Sequence, residues 1–182
     1  MDINIEQDST PWYAVRLFSL KLKEVRSFFA SKDLEYFIPM TYVDVEDKDS
    51  HRIKHELKPV VYNLIFVKKT IEEKEMRKIV MDSPYKMAVI KKSPDSTDYY
   101  EIPAKQMYEF QMMCNPEILM RKYLSEGEAK LKKGTRVLVH YGPLKGLTGK
   151  LVRSNKKYYL LKEVPGLGVM LKVSRWCCKP IE

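Results

Sequence analysis

Glycine is absent from the first 126 residues of this 182-residue chain; all seven glycines lie between positions 127 and 168. Three of them, Gly142, Gly146 and Gly149, fall within the stretch "HYGPLKGLTGKL". Glycine tolerates positive φ and close backbone approach, and Pro143 fixes φ in the same stretch. A strand ending at His140 and a new strand near Lys150 therefore need a sharp corner here, with Leu144 and Leu147 available to cover it. A phosphate-cradling loop would read G-x-x-x-x-G-K-[S/T] between a strand and a helix. Here Gly149-Lys150 runs into Leu151 and a strand, which excludes that reading.

Charge divides the chain at nearly the same place. Of 33 Lys/Arg and 24 Asp/Glu, residues 130–182 hold thirteen bases and two acids, Glu163 and Glu182, a net +11. The remainder is near neutral at −2. A cationic module on a near-neutral one points to a polyanionic partner, RNA or DNA first, with a solvated basic surface as the plainer reading. No apolar run approaches the roughly 20 residues of a membrane span. The opening "MDINIEQDST" is acidic and polar, unlike a signal peptide. The three cysteines, Cys114 and the adjacent Cys177-Cys178, form no disulfide framework. A reduced, cytoplasmic setting is expected, with one of the adjacent pair in a core and the other exposed.

The pattern of elements is legible in outline. "WYAVRLF" (12–18) reads as a strand. Residues 19–32 read as a helix with Leu22, Val25, Phe28 and Phe29 on one side and Ser19 as N-cap. Residues 34–45 read as a strand with Pro39 at an edge or bulge. The charged 46–58 read as a mobile hairpin or loop. Residues 59–69 read as a central strand. A helix over 70–83 opens with a Thr70/Glu73 capping box, a strand covers 85–92, and a third helix covers 103–114 with Pro103 in its first turn. The order βαββαβ is the ferredoxin-like split arrangement, with the third helix added. Residues 115–133 read as a connection. Five short β-type segments from Gly134 onward predict a small barrel. The expected class is α+β: domain 1–114, linker 115–133, barrel 134–182.

At this point a resemblance is carried by the residues. "VLVHYGPLKGLTGKLVRSNKKYYLL" resembles a KOW motif, with Gly142, Pro143, Gly146 and Gly149 as its turn. The features "WYAVR", "FIPM", "NLIFV" and "YEIPAKQMYEF" resemble the N-terminal (NGN) domain of NusG/Spt5 transcription elongation factors. "PVVYNLIFV" and "SPYKMAVI" resemble the UpxY-type antiterminators of capsular polysaccharide operons. One departure stands out: the F-P-G-Y-type turn of general NusG proteins is replaced by Val61-Tyr62-Asn63-Leu64. Asn63 takes the glycine place, where an αL conformation would be tolerated, and Leu64 takes the tyrosine place.

The resemblance implies an apolar patch that docks on the clamp helices of RNA polymerase. The matching positions are Tyr13, Tyr62, Leu64 and Phe66, with Pro39 and Met40 nearby. Strand alternation puts Tyr62, Leu64 and Phe66 on one face and Val61, Ile65 and Val67 on the other. One set is core under the helices, and the aromatic set is favoured as the binding face; Trp12 is expected in the core. Arg16, Lys21, Lys23 and Arg26 suit contact with the non-template DNA strand, or form an ordinary charged face. Arg52, Lys54, His55 and Lys58 reach nucleic acid or polymerase from the hairpin, or belong to a loop neutralised by its own acids. His51 and His55 lack the Glu and the third ligand of a metalloprotease helix, so no metal and no cofactor is expected. In the barrel, Lys145, Lys150, Arg153, Lys156, Lys157, Lys172 and Arg175 are candidates for RNA or ribosome contact. One of Tyr158 and Tyr159 is core and the other is free to stack on a base.

No nucleophile–base pair or carboxylate pair forms a recognisable catalytic motif. The expected function is a non-catalytic, monomeric elongation or antitermination factor that suppresses pausing on a particular operon, with nascent leader RNA, the ribosome or a termination factor as partners of the barrel. A KOW-type ribosomal or RNA-binding protein without polymerase contact is the alternative.

Overall fold

The structure, a computed structural model, describes residues 8–118 and 120–182. It begins with β1 (Trp12–Leu17), α1 (Leu22–Ser31), β2 (Tyr36–Phe37), β3 (Met40–Glu46), β4 (Ile53–Pro59), β5 (Leu64–Lys68), α2 (Glu73–Asp82) and β6 (Met87–Val89). Four strands form one antiparallel sheet in the order β2-β5-β1-β6, the ferredoxin-like order. Strands β3 and β4 form a separate two-stranded hairpin inserted before β5.

The core of this first unit follows from register. Tyr13 pairs with Val67 and Val15 with Ile65, so these four point to one face. There they cluster with Leu22, Val25 and Phe29 of α1 and Met76 of α2. Tyr99 meets Tyr13 edge to face at 5.5 Å, a favoured aromatic geometry. The amphipathic spacing expected for 19–32 is realised from Leu22 onward. Ser19 does not cap α1: the N-cap is Lys21, without a side-chain bond. The Thr70/Glu73 capping box is likewise not formed, because α2 starts after Glu72. Glu73 instead pairs with Arg77 and accepts from the Tyr99 N–H at 3.2 Å.

Three further expectations change. The strand expected over 34–45 is cut in two at Pro39, whose carbonyl accepts from Val60 N–H at 2.9 Å. The charged 46–58 is mostly strand, in register from Met40–Pro59 to Glu46–Ile53, leaving a turn only around 47–52. Asn63 is not in the left-handed region, which among the described non-glycine residues holds Asp33, His51, Met120, Asn155 and Lys156.

The second unit comprises residues 102–114 and 118 onward, whereas 115–117 group with 10–101. It contains α3 (Ala104–Met113), β7 (Arg121–Ser125), α4 (Glu126–Leu131), β8 (Thr135–Val139), β9 (Thr148–Ser154), β10 (Lys157–Val164), β11 (Leu167–Lys172), a 3-10 turn at Arg175–Cys177 and β12 (Cys178–Pro180). The six strands form one antiparallel sheet, β12-β8-β9-β10-β11-β7. Residues 115–133 are therefore not only a connection. Tyr123 pairs with Val169 inside the sheet, and Ser125 caps α4 in a reciprocal box with Glu128. Ala129 of α4 packs with Val152, Tyr159, Leu161 and Met170. Gly168 lies beneath it; a Cβ there would stand 2.8 Å from that of Ala129.

Helix α3 also groups with this unit rather than with residues 10–101. Glu109 on α3 forms a buried ion pair with Lys162 on β10. Thr148 of β9 closes the network, its hydroxyl donating to Glu109 at 2.7 Å. Gln106 donates to the Glu163 carbonyl at 2.6 Å.

The glycine corner is built as its residue types demand. Gly142 and Gly146 have φ of +88° and +96°, and Val139 and Leu147 close the corner with an N–H to carbonyl bond of 2.9 Å. Gly149 serves close approach: a Cβ there would meet the Leu161 carbonyl oxygen at 2.6 Å.

Candidate functional site

In the first unit, the start of α1, the β2 region and the end of β4 enclose a groove of about 500 Å³. Its walls are largely apolar: Leu20 and Leu22 from the α1 side, Phe37 and Met40 from the β2–β3 segment, Leu57 and Tyr62 from the hairpin side. Leu20, Leu57 and Tyr62 are 83%, 46% and 46% exposed. Lys23 and Arg26 also line the groove. Isolated exposed apolar residues are ordinary, but several lining one concavity mark a docking surface. The chemistry on offer is an apolar trough with a positive margin, suited to an amphipathic helix carrying acids beside its apolar stripe.

The residues expected to dock polymerase divide between this groove and the interior. Tyr62 and Met40 line it, while Pro39 is buried in the adjoining bend. Leu64 and Phe66 are buried, and Phe66 packs against Phe37 with ring centroids 6.3 Å apart. Tyr62 is exposed because β5 begins only at Leu64, so strand alternation does not reach it. Tyr13 is buried on the helix-covered face, because its partner is Val67 and not Phe66. Trp12 is buried too, but on the opposite face, in register with Lys68. Leu20, Phe37 and Leu57 were not singled out by sequence. Leu20 precedes the helix and Leu57 lies in a charged run, so neither carries a local signal.

The hairpin cations are largely matched by acids of the same hairpin. Lys54 pairs with Asp47 and His55 with Asp44, and Lys58 stands 3.4 Å from Glu56. Asp47 is held below the ordinary carboxylate range, first by Lys54 and then by the Asp49 and Ser50 N–H groups. Such exposed pairs contribute little, because water and salt screen them. His51 lies in the turn and His55 in β4, so their spacing of four is not a helical one. Among the described residues no group of three His, Cys, Asp or Glu side chains is placed to hold a metal ion. Lys21 and Lys23 sit at the start of α1, and Arg16 is exposed on β1.

In the second unit the expected contact residues separate by role. Lys150 is committed to structure, bonding Glu163 at 2.9 Å and the Lys132 carbonyl at 3.0 Å. Lys145, Arg153, Lys156, Lys157, Lys172 and Arg175 are exposed. Tyr159 is core and Tyr158 is half-buried, its ring flanked by Arg153 and Arg175, each 5.9 Å from the centroid. Cys177 and Cys178 are both half-buried rather than divided between core and surface, and Cys114 is buried.

A ferredoxin-like α+β unit with two helices on one face, followed in sequence by a β-rich unit, defines the fold class as an NGN-type domain with a β-rich C-terminal domain. The sequence model of the NusG family, described as transcription termination factor nusG, matches residues 10–111, more than half of the chain. The chain belongs to the NusG family of transcription factors. Among solved structures, one described as "Domain interaction in Thermotoga maritima NusG" is similar, at 14% sequence identity and a TM-score of 0.46. That match covers 95% of this chain and 98% of that one. No curated protein matches. No helix among the described residues is long and apolar enough to cross a membrane.

Proposed function

We propose that this protein is a non-catalytic transcription elongation factor that binds RNA polymerase through the groove of its first unit and suppresses pausing or termination. The observation that carries the reading is the groove itself. It is an apolar trough with a positive margin, built from residues 20–62 and lying wholly inside the segment that matches the family. The occupant is a helical element of the polymerase clamp, with Leu20, Leu57 and Tyr62 as the apolar contacts. In this reading Lys21, Lys23 and Arg26 lie beside the docked helix and touch the non-template DNA strand, while the basic second unit engages nascent leader RNA, the ribosome or a termination factor. The resemblance of "PVVYNLIFV" and "SPYKMAVI" to UpxY-type antiterminators supports action on a particular operon, of the capsular polysaccharide kind.

The test is co-purification with RNA polymerase, joined to a pausing assay on the leader upstream of the protein's own gene. Wild type is expected to bind and to shorten pauses. Tyr62→Ala and Leu57→Asp are expected to lose both effects while keeping the wild-type melting temperature, because both side chains are exposed. Retention of polymerase by the Tyr62→Ala/Leu57→Asp double variant would overturn the assignment of the groove.

A further inference from the structure

The largest exposed aromatic of the second unit precedes its last strand, β12. Trp176 is 90% exposed and Tyr141 is 72% exposed. They lie just beyond the paired ends of β8 and β12. Cys178 pairs with Val139, and His140 N–H donates to the Cys177 carbonyl at 2.9 Å. Tyr141 and Trp176 are the next residues outward on the two segments. Beside Trp176, Arg175 lies over the ring of Tyr158, whose other neighbour is Arg153. Arg153 is in turn the cross-strand partner of Tyr158. Beyond them the β9–β10 turn carries Asn155 and Lys156, both at positive φ, followed by Lys157.

These residues form one strip: Tyr141, Trp176, Arg175, Tyr158, Arg153, then Lys156 and Lys157. Between Val139 and Lys162, and again between Val164 and Ile181, the sequence contains no Asp or Glu. An indole and a phenol so exposed to water are unfavourable apolar surface unless something covers them. A protein partner would have to bring acids to match the cations. A strand of unpaired nucleotides carries both parts itself: base faces for the rings and phosphates for the cations.

We infer that this strip is a binding path for single-stranded nucleic acid, with two or three successive bases stacked on Tyr141, Trp176 and the guanidinium planes that flank Tyr158, and the backbone running toward Lys156 and Lys157. The inference rests on the reading of the second unit as a nucleic-acid-contacting module, and not on the polymerase groove. The arginines flanking Tyr158 hold its ring in place and offer guanidinium planes to the adjoining base.

The experiment uses the full chain and two labelled twelve-nucleotide probes, oligouridylate RNA and oligothymidylate DNA, with a duplex of the same length as control. Binding is read by anisotropy and by intrinsic tryptophan fluorescence. The chain has two tryptophans, and Trp12 is buried. Quenching on binding is therefore expected from Trp176, and is expected to vanish in Trp176→Ala. Removing one stacking ring, in Trp176→Ala or Tyr141→Ala, is expected to weaken single-strand binding by roughly five- to 150-fold, with Trp176→Phe largely restored. Lys156→Gln with Lys157→Gln is expected to lower the salt slope by about 1.4. The two probes decide between RNA and DNA as the source of the strand. Equal affinity for duplex, or Trp176→Ala with unchanged affinity, overturns the inference. Polymerase capture by Trp176→Ala separates the two proposals: capture kept with single-strand binding lost leaves the groove reading intact. Single-strand binding by a wild-type protein that captures no polymerase leaves the strip standing alone.

Discussion

The buried network joining α3 to the second unit offers the sharpest test of how this chain is divided. Glu109 and Lys162 have side-chain exposures of 5% and 10%. Thr148 is the third member, its hydroxyl 3.1 Å from the Lys162 ammonium and its N–H 3.4 Å from the Glu109 carboxylate. Replacing Lys162 by Met keeps most of the volume but leaves a carboxylate buried with only Thr148 to bind it. Breaking a buried pair from one side costs about 3–5 kcal/mol. Glu109→Gln, which strands the ammonium, is expected to cost a similar amount. Replacing both, in Glu109→Leu/Lys162→Met, removes the charges together and is expected to lie closer to the parent than either single variant, because the desolvation of both ions is relieved. Thr148→Val removes one neutral partner of a charged group and is expected to cost about 1.5–3 kcal/mol. The assay is native-state amide exchange, which reports each element's opening free energy and needs no two-state assumption for a chain of two units. Lys162→Met is expected to raise exchange in α3 and in β10 together. Two results refute the reasoning: a single-variant cost below about 1 kcal/mol, or a double variant whose cost is the sum of the singles.

Three other outcomes follow from local geometry. Gly149→Ala places a Cβ 2.6 Å from the Leu161 backbone oxygen and 2.9 Å from Leu160 Cδ1; it is expected to lower the melting temperature far more than Gly142→Ala, which meets no atom and carries only the left-handed strain of about 1–2 kcal/mol. The reverse order in a thermal melt contradicts the assignment of the corner. In a thiol titration of native protein, Cys177 and Cys178 are expected to react and Cys114 to react only on unfolding, because it is buried and desolvation pushes its thiol up to about 12. Glu128 is held below the ordinary carboxylate range, first by the Ser125 N–H and then by the Ser125 hydroxyl. Its contribution to α4 is therefore present above the ordinary carboxylate value and is lost as pH falls through the depressed folded value. Amide exchange in α4 is expected to rise on that acid limb in wild type, and to show no such limb in Glu128→Gln.

Much of the fold was legible locally. β1, α1 and β5 lie within the stretches that hydrophobic period and apolar runs mark, because those signals are carried within ten residues of chain, and α2 and α3 lie within the helices expected over 70–83 and 103–114. The glycine corner was legible for the same reason: Gly142 and Gly146 announce positive φ through the absence of a Cβ. The candidate groove was only half legible. Tyr62 and Met40 line it and carry a sequence signal for an apolar patch, and Lys23 and Arg26 line it though their signal is for DNA contact, while Leu20, Phe37 and Leu57 come from three separate segments that meet only in space. The strip around Trp176 was missed, apart from its cations and Tyr158, because the pairing of Val139 with Cys178 spans nearly forty residues of sequence.

By itself the sequence determined the class of element at most positions and the segregation of charge to residues 130–182. Those are properties of composition and short period, and they do not depend on what lies opposite. Tertiary structure alone decided which face each residue occupies: the pairing of Tyr13 with Val67 sends that tyrosine under the helices, and a slip of one residue would have sent it to the other face. It also decided that Lys150 and Lys162 are bound to Glu163 and Glu109 while Arg153, Lys156 and Lys157 stay on the surface. A lysine's chemistry is the same everywhere in a sequence. Whether its charge is neutralised inside the protein or left for a partner depends on which carboxylate the fold brings within reach.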